Sequence, residues 1–253
     1  MKKFTLILLM VIHCIVFSQT DSVLSRVYKW NNLNAEVTND FVKRQFFSGQ
    51  TIDEKELSVY ALTIEPGKLL NEKSDDELLL VIKEGVVKVS LTNEIKILGP
   101  GSTVLVMSGD EYVIENTGAG AATYYVFEYE SKYPVNIERG AEAGGSMIIK
   151  WDELEFQPHD KGGIRKYFER PTSMTKRLEI HVTTLNPGIK SHEPHTHRSA
   201  EFVLMINGNT EMEIGDQFYE GTDGDLYFVN SNVPHAIKNI GSDSSMYFAI
   251  QWE

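Results

Sequence analysis

The sequence contains two copies of one pattern, and this repeat constrains the fold more than any other feature. The segment VYKWNNL (27–33) matches IIKWDEL (148–154) at an offset of 121 residues. Near the end of each copy, ATYYVFEYE (122–130) matches SMYFAIQWE (245–253) at an offset of 123. A long internal repeat indicates two similar structural units. The drift from 121 to 123 predicts a slightly longer loop in the second copy, between 188 and 208.

The repeat predicts an N-terminal domain at 27–130 and a C-terminal domain at 148–253. The linker at 131–147 between them has a Pro, Gly and charged composition. Within each copy, short β-forming runs alternate with turn residues, which favours an all-β barrel or sandwich with little helix. The predicted strands are 58–64, 78–81, 86–91, 95–98, 103–107 and 122–129 in the first copy, and 179–185, 201–206, 210–214, 226–229 and 246–252 in the second.

Residues 1–19 differ in composition from the rest of the chain. Two lysines precede the apolar run FTLILLMVIHCIVF, and Ser18 and Gln19 follow it, which is the pattern of a secretory signal peptide. We therefore predict export to the periplasm or the cell exterior, with no membrane attachment after cleavage. Cys14, the single cysteine of the sequence, lies in this segment, so the processed chain would contain neither disulfides nor a reactive thiol.

The overall charge argues against a nucleic-acid partner. The sequence has 24 Lys and Arg against 36 Asp and Glu, a net charge of −12, and no run of basic residues. A small-molecule ligand is the partner that we expect. Homodimerisation is a further expectation, because a sheet edge has to be covered in some way.

The stretch GIKSHEPHTHRSAEFVLMING (188–208) holds most of the residues that can carry chemistry. His195 and His197 lie two apart and Glu201 four further on, so that on an extended chain their side chains share one face. A further imidazole is available downstream at His235. Three imidazoles and one carboxylate on one face favour a site for a divalent first-row transition metal.

These residues carry a resemblance to the cupin superfamily. The pattern H-x-H, three residues, E, six residues and G, followed later by G-D and P-H-x-x-x-N, resembles the two cupin motifs and ends at Asn239. The second motif departs from the family at Asn230 and Asn232, where cupins usually have Pro and Gly. The resemblance implies two tandem double-stranded β-helix barrels, which are jelly rolls, with a metal in the mouth of the second.

The first copy is predicted to be metal-free, because no histidine occurs between Gln19 and Pro158. At the offset of 123, Tyr112 stands opposite His235. Glu77 lies within one position of the counterpart of Glu201, and we expect it to form a salt bridge or to lie in a solvated loop.

Two-barrel proteins with metal only in the second barrel resemble the ureidoglycine aminohydrolase group. That group is expected to use a Glu, His, His and Gln set, so the architecture carries over and the substrate does not. Single-barrel relatives that act on unsaturated sugar acids share the present ligand set more closely. The resemblance implies a redox-neutral enzyme (isomerase, lyase or hydrolase) on a small polar carboxylate or sugar acid. A metal-dependent dioxygenase and a non-catalytic small-molecule or carbohydrate-binding protein are the alternatives. Manganese is the favoured metal, with iron, nickel, zinc and copper as alternatives.

Several further side chains are candidates for the site, although each also has a structural explanation. His192 lies in the lengthened loop and is a candidate proton carrier. Arg170 and Arg177 have no basic counterpart in the first copy and are weak candidates for binding a substrate carboxylate. Tyr227 and Gln251 are polar groups on otherwise apolar strands and are candidates for the barrel lining. We expect packing for His181, the surface for His159 and a turn role for Asn239.

Overall fold

Nearly all regular structure in the chain is β-strand. The computed structural model describes residues 22–253, so the predicted signal peptide and Cys14 lie outside the described residues. The strands are β1 (Arg26–Tyr28), β2 (Ala35–Val37), β3 (Val42–Gly49), β4 (Glu54–Ile64), β5 (Leu69–Lys73), β6 (Glu77–Glu84), β7 (Val87–Leu91), β8 (Glu94–Leu98), β9 (Thr103–Val106), β10 (Glu111–Asn116), β11 (Ala122–Ser131), β12 (Met147–Ile149), β13 (Gln157–His159), β14 (Gly162–Arg170), β15 (Leu178–Leu185), β16 (Ala200–Asn207), β17 (Thr210–Ile214), β18 (Gln217–Gly221), β19 (Leu226–Val229), β20 (His235–Asn239) and β21 (Ser245–Trp252). The all-β prediction is confirmed.

In the part of the chain that the structure describes, helix is confined to short segments. The α-helix α1 (Ile137–Glu142) lies in the predicted linker, and Asn136 caps it by accepting a hydrogen bond from the amide of Arg139. Single 3-10 turns occur at Trp30–Asn32 and Trp151–Glu153, the matching tryptophan segments of the two copies. Within residues 22–253, no helix is long and apolar enough to cross a membrane.

The strands form two jelly-roll barrels, each made of a large and a small sheet. In the first barrel, a seven-stranded sheet (β12-β9-β6-β11-β4-β3-β2) faces a four-stranded sheet (β5-β10-β7-β8). In the second, a seven-stranded sheet (β1-β19-β16-β21-β15-β14-β13) faces a three-stranded sheet (β18-β17-β20). The two large sheets have equivalent strand orders, as the sequence repeat predicts.

The two barrels exchange their outermost strands. β1 lies at the start of the first copy but pairs with β19 of the second barrel, where Val27 stands opposite Tyr227. β12 lies at the start of the second copy and pairs with β9 of the first barrel, where Ile148 stands opposite Val104. Each sequence copy therefore contributes its first strand to the other barrel.

The apolar core has three parts, one inside each barrel and one between the barrels. The interior of the first barrel includes Ile148, and that of the second includes Val27, in keeping with the exchanged strands. The largest cluster joins both barrels. Within it Phe127 meets Phe202 edge to face at 5.1 Å, and aromatic contacts of this kind favour a fixed arrangement of the two barrels.

Glu77 lies in this contact between the barrels, which corrects the expectation of a salt bridge or a solvated loop. It is fully buried. Its carboxylate accepts hydrogen bonds from the hydroxyls of Tyr129 (2.9 Å) and Thr172 (2.5 Å) and from the amide of Ser173 (2.8 Å). Burial raises the pKa of Glu77, and these hydrogen bonds oppose the rise. A one-residue difference in register explains the error, because neighbouring strand residues face opposite sides of the sheet.

Candidate metal centre

Three imidazoles meet at the mouth of the second barrel, on segments that backbone hydrogen bonds hold together. His195 and His235 exchange backbone hydrogen bonds of 3.2 and 3.1 Å, so the loop before β16 is tied to the start of β20. The carbonyl of His197 accepts from the amide of Asn232 at 2.8 Å. The ligand nitrogens of His195, His197 and His235 lie within 4.8 Å of one another.

The turn at Asn232 explains one departure from the cupin motif. Asn232 adopts φ of 61°, a left-handed conformation that glycine and asparagine tolerate better than other residues. Asn230 donates a side-chain hydrogen bond to the carbonyl of Val23 at 2.8 Å. The two asparagines therefore keep the turn that presents His235.

The fourth predicted ligand, Glu201, contacts two of the imidazoles directly. Its Oε2 atom lies 2.9 Å from Nε2 of His197 and 3.2 Å from Nε2 of His235. The amide of Gln251 donates to the same oxygen at 3.0 Å. Burial raises the pKa of Glu201, but the hydrogen bonds with the two histidines outweigh this effect and bring the pKa to about 2. The carboxylate is therefore ionised at neutral pH.

The orientation of the imidazoles leaves their Nε2 atoms available as ligands. Nδ1 of His197 faces the carbonyl of Ser199 at 2.8 Å, and Nδ1 of His235 faces the carbonyl of Val233 at 2.9 Å. A carbonyl only accepts, so each Nδ1 carries a hydrogen, and each Nε2 faces the Glu201 carboxylate. Protonated imidazoles satisfy this arrangement by donating from Nε2, and neutral imidazoles satisfy it when a metal ion lies between their lone pairs and the carboxylate. The donor set suits a divalent metal ion.

The same contacts shift the pKa values of the histidines in and beside the cluster. The hydrogen bond with Glu201 raises the pKa of His197. Burial, together with repulsion from the neighbouring imidazoles, lowers the pKa of His195. Burial also lowers the pKa of His192, whose ring meets that of His195 edge to face at 4.1 Å. Neutral imidazoles are the form in which histidine binds metals.

A cavity of about 290 Å³ lies beside the imidazoles. Its wall contains His192 and Gln251, two of the residues that the sequence singled out. The full lining consists of His159, Lys161, His181, Thr183, Leu185, Ser191, His192, His195, Glu201, Met212, His235, Ile237, Tyr247, Ala249 and Gln251. His181 thus belongs to the cavity wall, where the sequence predicted a packing role. His159 is exposed, as predicted, and also borders the cavity.

Lys161 is a cavity residue that sequence reasoning missed. It lies at the turn of the β13–β14 hairpin, and its carbonyl accepts from the amide of Asn186 at 2.9 Å. Its Nζ atom donates to the carbonyl of Ser191 at 2.7 Å, which leaves further N–H groups for a ligand. At the offset of 121, the counterpart in the first copy is Asp40, so the sign of the charge reverses between the barrels.

Three of the sequence candidates do not reach the cavity. Arg170 donates to the backbone carbonyls of Ala143 and Gly145, which places it on the linker side. Arg177 forms an ion pair with Glu169 at 2.7 Å. Tyr227 is fully buried in the barrel core and bonds to Thr210. These contacts correct the expectation that the two arginines bind a substrate and that Tyr227 lines the pocket.

The first barrel has different side chains at the ligand positions. In the β6–β11 register Leu78 pairs with Glu128, and in the β16–β21 register Glu201 pairs with Gln251, so Leu78 is the counterpart of Glu201. The counterparts of the four predicted ligands are Glu72, Ser74, Leu78 and Tyr112. A leucine in place of the central carboxylate removes the chemistry that the second barrel presents.

Residues 181–250 match the family model described as a cupin domain. The second barrel is a cupin domain. Because the first barrel repeats its fold, the chain has the two-barrel architecture of a bicupin. Both features were expected from the resemblance of the sequence motifs.

Solved structures with a similar fold include three proteins of low sequence identity. Oxalate decarboxylase from Lactobacillus farciminis in its formate complex has 11% identity and a TM-score of 0.70, over 90% of this chain and 86% of that chain. Oxalate decarboxylase from Bacillus subtilis at pH 4.6 has 15% identity and a TM-score of 0.68, over 92% and 78%. AerE from Microcystis aeruginosa has 13% identity and a TM-score of 0.67, over 87% and 97%. At these identities the similarity establishes the fold alone. No curated protein sequence matches the chain significantly.

Proposed function

We propose that this chain is an exported metalloenzyme that carries out a redox-neutral reaction on a small polar carboxylate or sugar acid. The observation that carries the proposal is the cluster of three imidazoles and Glu201 beside a cavity of about 290 Å³, whose wall includes His195, His235, Glu201 and Lys161. Pockets of this size accept small molecules. The signal-peptide pattern at 1–19 supports export.

The residues proposed to hold one divalent ion are His195, His197, Glu201 and His235. A mixed set of nitrogen and oxygen donors suits several first-row metals, and manganese is favoured. The structurally similar Bacillus subtilis oxalate decarboxylase is described with Mn(II) centres. When bound, such an ion supplies Lewis acidity toward a carboxylate or carbonyl oxygen.

The other cavity residues have roles that their contacts suggest. Lys161 carries a positive charge on the wall and binds the carboxylate of the substrate through its free N–H groups. His192 faces the cavity with a pKa lowered by burial, so it is neutral at pH 7 and can accept a proton. Gln251 orients Glu201 through its 3.0 Å hydrogen bond.

Metal content gives the first test of this proposal. We expect protein purified from its own compartment to contain close to one equivalent of a divalent metal, mainly manganese. His197→Ala removes one ligand and is expected to lower occupancy at least tenfold. His159→Ala is the matched control, because His159 lines the cavity without contacting Glu201. Full occupancy in His197→Ala, measured by elemental analysis, would refute the ligand assignment.

A panel of small carboxylates tests the reaction. Oxalate, malonate and unsaturated sugar acids are incubated with the metal-loaded protein, and products and dissolved oxygen are followed together. We expect turnover of an acid without stoichiometric oxygen uptake. Iron or copper with one oxygen consumed per turnover would instead support a dioxygenase. Tight binding of an acid that is never converted and that survives metal removal would support a non-catalytic binding protein.

A further inference from the structure

Glu179 and His181 form a hydrogen-bonded pair on β15. Nδ1 of His181 lies 3.2 Å from Oε1 of Glu179. In the registers of β15 with β21 and of β16 with β21, Gln251 stands opposite both Glu179 and Glu201, so these three side chains share one face of the sheet. His181 is two residues beyond Glu179 and faces the same side, where it lines the cavity beside the imidazoles.

The pair fixes which nitrogen of His181 is available to a ligand. The hydrogen bond with His181 lowers the pKa of Glu179; burial opposes this effect, and Arg177 adds to it. Glu179 is therefore ionised at neutral pH and accepts the hydrogen of Nδ1, so Nε2 of the neutral ring presents a lone pair. The side chain of His181 is 19% exposed, and the open space beside it is the cavity.

The first barrel shows that packing at this position does not require such a pair. At the offset of 121, the counterparts of Glu179 and His181 are Ser58 and Tyr60. The register of β4 with β11 agrees with that of β15 with β21 in this correspondence. The pair therefore occurs in the barrel that has Glu201 and is replaced in the barrel that has a leucine there. A role in the chemistry of the metal cavity explains this difference, whereas packing is needed equally in both barrels.

His192, on the same cavity wall, has a different group at its Nδ1. That nitrogen faces the backbone carbonyl of Glu193 at 3.0 Å, whereas Nδ1 of His181 faces a carboxylate. A carboxylate at this position orients the ring and offsets the positive charge that forms when the other nitrogen takes up a proton. We propose that His181 is a catalytic residue that accepts a proton from the bound acid at Nε2, and that Glu179 is its positioning residue.

This inference rests on the proposed function, a redox-neutral reaction of a small carboxylate. A C–H or O–H bond of the acid breaks, its proton goes to Nε2 of His181, and the electron pair of that bond stays on the acid. The proton then returns to another atom of the acid in an isomerisation, or to the leaving group in an elimination. The step consumes neither an oxidant nor a reductant.

His181→Gln removes the proton acceptor and keeps a polar side chain. Oxalate, malonate and unsaturated sugar acids are the probes, and the test uses an acid that metal-loaded wild-type protein converts. We expect kcat for that acid to fall about 100-fold or more, with KM and metal content unchanged. His159→Gln is the matched control, because His159 is an exposed histidine at the border of the same cavity, and it is expected to keep the wild-type kcat.

Two further readouts separate proton transfer from packing. Glu179→Gln keeps an acceptor for Nδ1 but removes the negative charge, so the rise of kcat with pH is expected to move about one unit or more to lower pH. The charged groups on neighbouring elements are unchanged in this variant: Lys166 opposite the ring on β14, and Lys161 and Glu201 on the cavity wall. Carbethoxylation of His181 by diethyl pyrocarbonate, followed by peptide mass spectrometry, is expected to be lost when the converted acid is bound.

The outcomes for His181 and for the proposed function are distinguishable. If wild-type protein converts an acid and His181→Gln converts it at the wild-type kcat, the role of His181 is overturned and the proposed function stands. The same holds if the bound acid leaves carbethoxylation of His181 unchanged. If wild-type protein converts no acid of the panel, both are overturned. If His181→Gln does not fold, the pH profile of Glu179→Gln decides, and an unmoved profile overturns the proposal.

Discussion

Glu201 is held by a chain of hydrogen bonds that begins at the outer side of the barrel. Gln251 donates to Glu201 through its amide nitrogen, and its amide oxygen accepts from Arg177 at 3.1 Å. Arg177 is itself fixed by Glu169. Because a guanidinium can only donate, it keeps the amide oxygen of Gln251 turned away from the carboxylate. Arg177 is therefore a positioning residue and does not touch the cavity.

Substitution of Lys161 tests the charge on the cavity wall. Lys161→Met keeps most of the length of the side chain and removes the ammonium group. We expect an acid from the carboxylate panel that binds wild-type protein to bind about 10- to 100-fold more weakly, since hydrogen bonds to charged groups contribute about 1.5–3 kcal/mol. Calorimetric titration of metal-loaded protein measures the change.

Lys166→Met is the matched control, because Lys166 is exposed on β14 of the same hairpin. It is expected to bind the acid as wild-type protein does. Metal content should be equal in both variants, since neither lysine contacts an imidazole of the cluster. Equal affinity for the acid in Lys161→Met and Lys166→Met would remove Lys161 from the proposed site.

Some residues of the candidate site could be predicted from the sequence, and others could not. His195, His197 and Glu201 could be predicted because they lie close together in one motif, although His195 and His197 lie on the loop before β16 and only Glu201 lies on a strand. Lys161 could not, because a hairpin brings it to the cavity from a distant part of the chain. The reversal of charge against Asp40 is the one signal in the repeat that could have pointed to it.

At the level of elements, the strands that the sequence missed include two long strands that contain bulges, β14 and β3. β14 carries four charged residues and is interrupted by a bulge between Lys166 and Phe168. β3 has a bulge at the equivalent place, between Gln45 and Phe47. A bulge breaks the alternation of apolar and polar residues, which is the pattern that predicts a strand. The buried strands of each large sheet had clear apolar runs and could be predicted.

The exchange of outer strands predicts which barrel a core substitution destabilises. Val27 belongs to the first sequence copy but packs in the second barrel. Val27→Ala is expected to lower the free energy of unfolding by about 1–2 kcal/mol and to speed amide hydrogen exchange in β19 more than in β9. Ile148→Ala is the reciprocal control, with faster exchange in β9. Faster exchange of β9 in Val27→Ala would contradict the pairing.

On the scale of the whole molecule, the contact between the barrels contains a carboxyl group that titrates near neutrality. Burial raises the pKa of Glu54 from 4.5 to about 7; the Asp53 carboxylate adds to the rise, and the hydrogen bond from Thr51 opposes it. The folded state therefore holds a proton that the unfolded chain releases near pH 4.5. Stability from this group is present below pH 4.5 and is lost as the pH rises to about 7.

Glu54→Gln imitates the protonated form and tests this effect. We expect the variant to be more stable than wild-type protein by about 1–3 kcal/mol at pH 8 and to differ little at pH 4.5. Urea unfolding at the two pH values measures the difference. Glu111→Gln, on the exposed side of β10, is the control substitution. A variant that is equally stabilised at both pH values would show that the carboxyl is not the cause.

The two barrels also share an ion pair close to the metal centre. Arg198, next to His197, donates to both oxygens of Asp53 in the first barrel, at 2.7 and 2.6 Å. Asp53 is almost completely buried, and a two-pronged contact of this kind fixes direction as well as distance. The first barrel thus takes part in positioning the loop that carries His197. This contact joins residues far apart in the chain, so the sequence repeat could not predict it.

The strand exchange also sets an order in which the molecule can be completed. A chain emerging from the ribosome makes β1 first, yet the partner of β1 is β19, which follows almost at the end. The first barrel needs β12 and can close soon after its own residues are made. β1 therefore has no partner strand until β19 has been synthesised. The second barrel therefore needs a strand from near the beginning of the described chain, and β1 can pair only after β19 has been made.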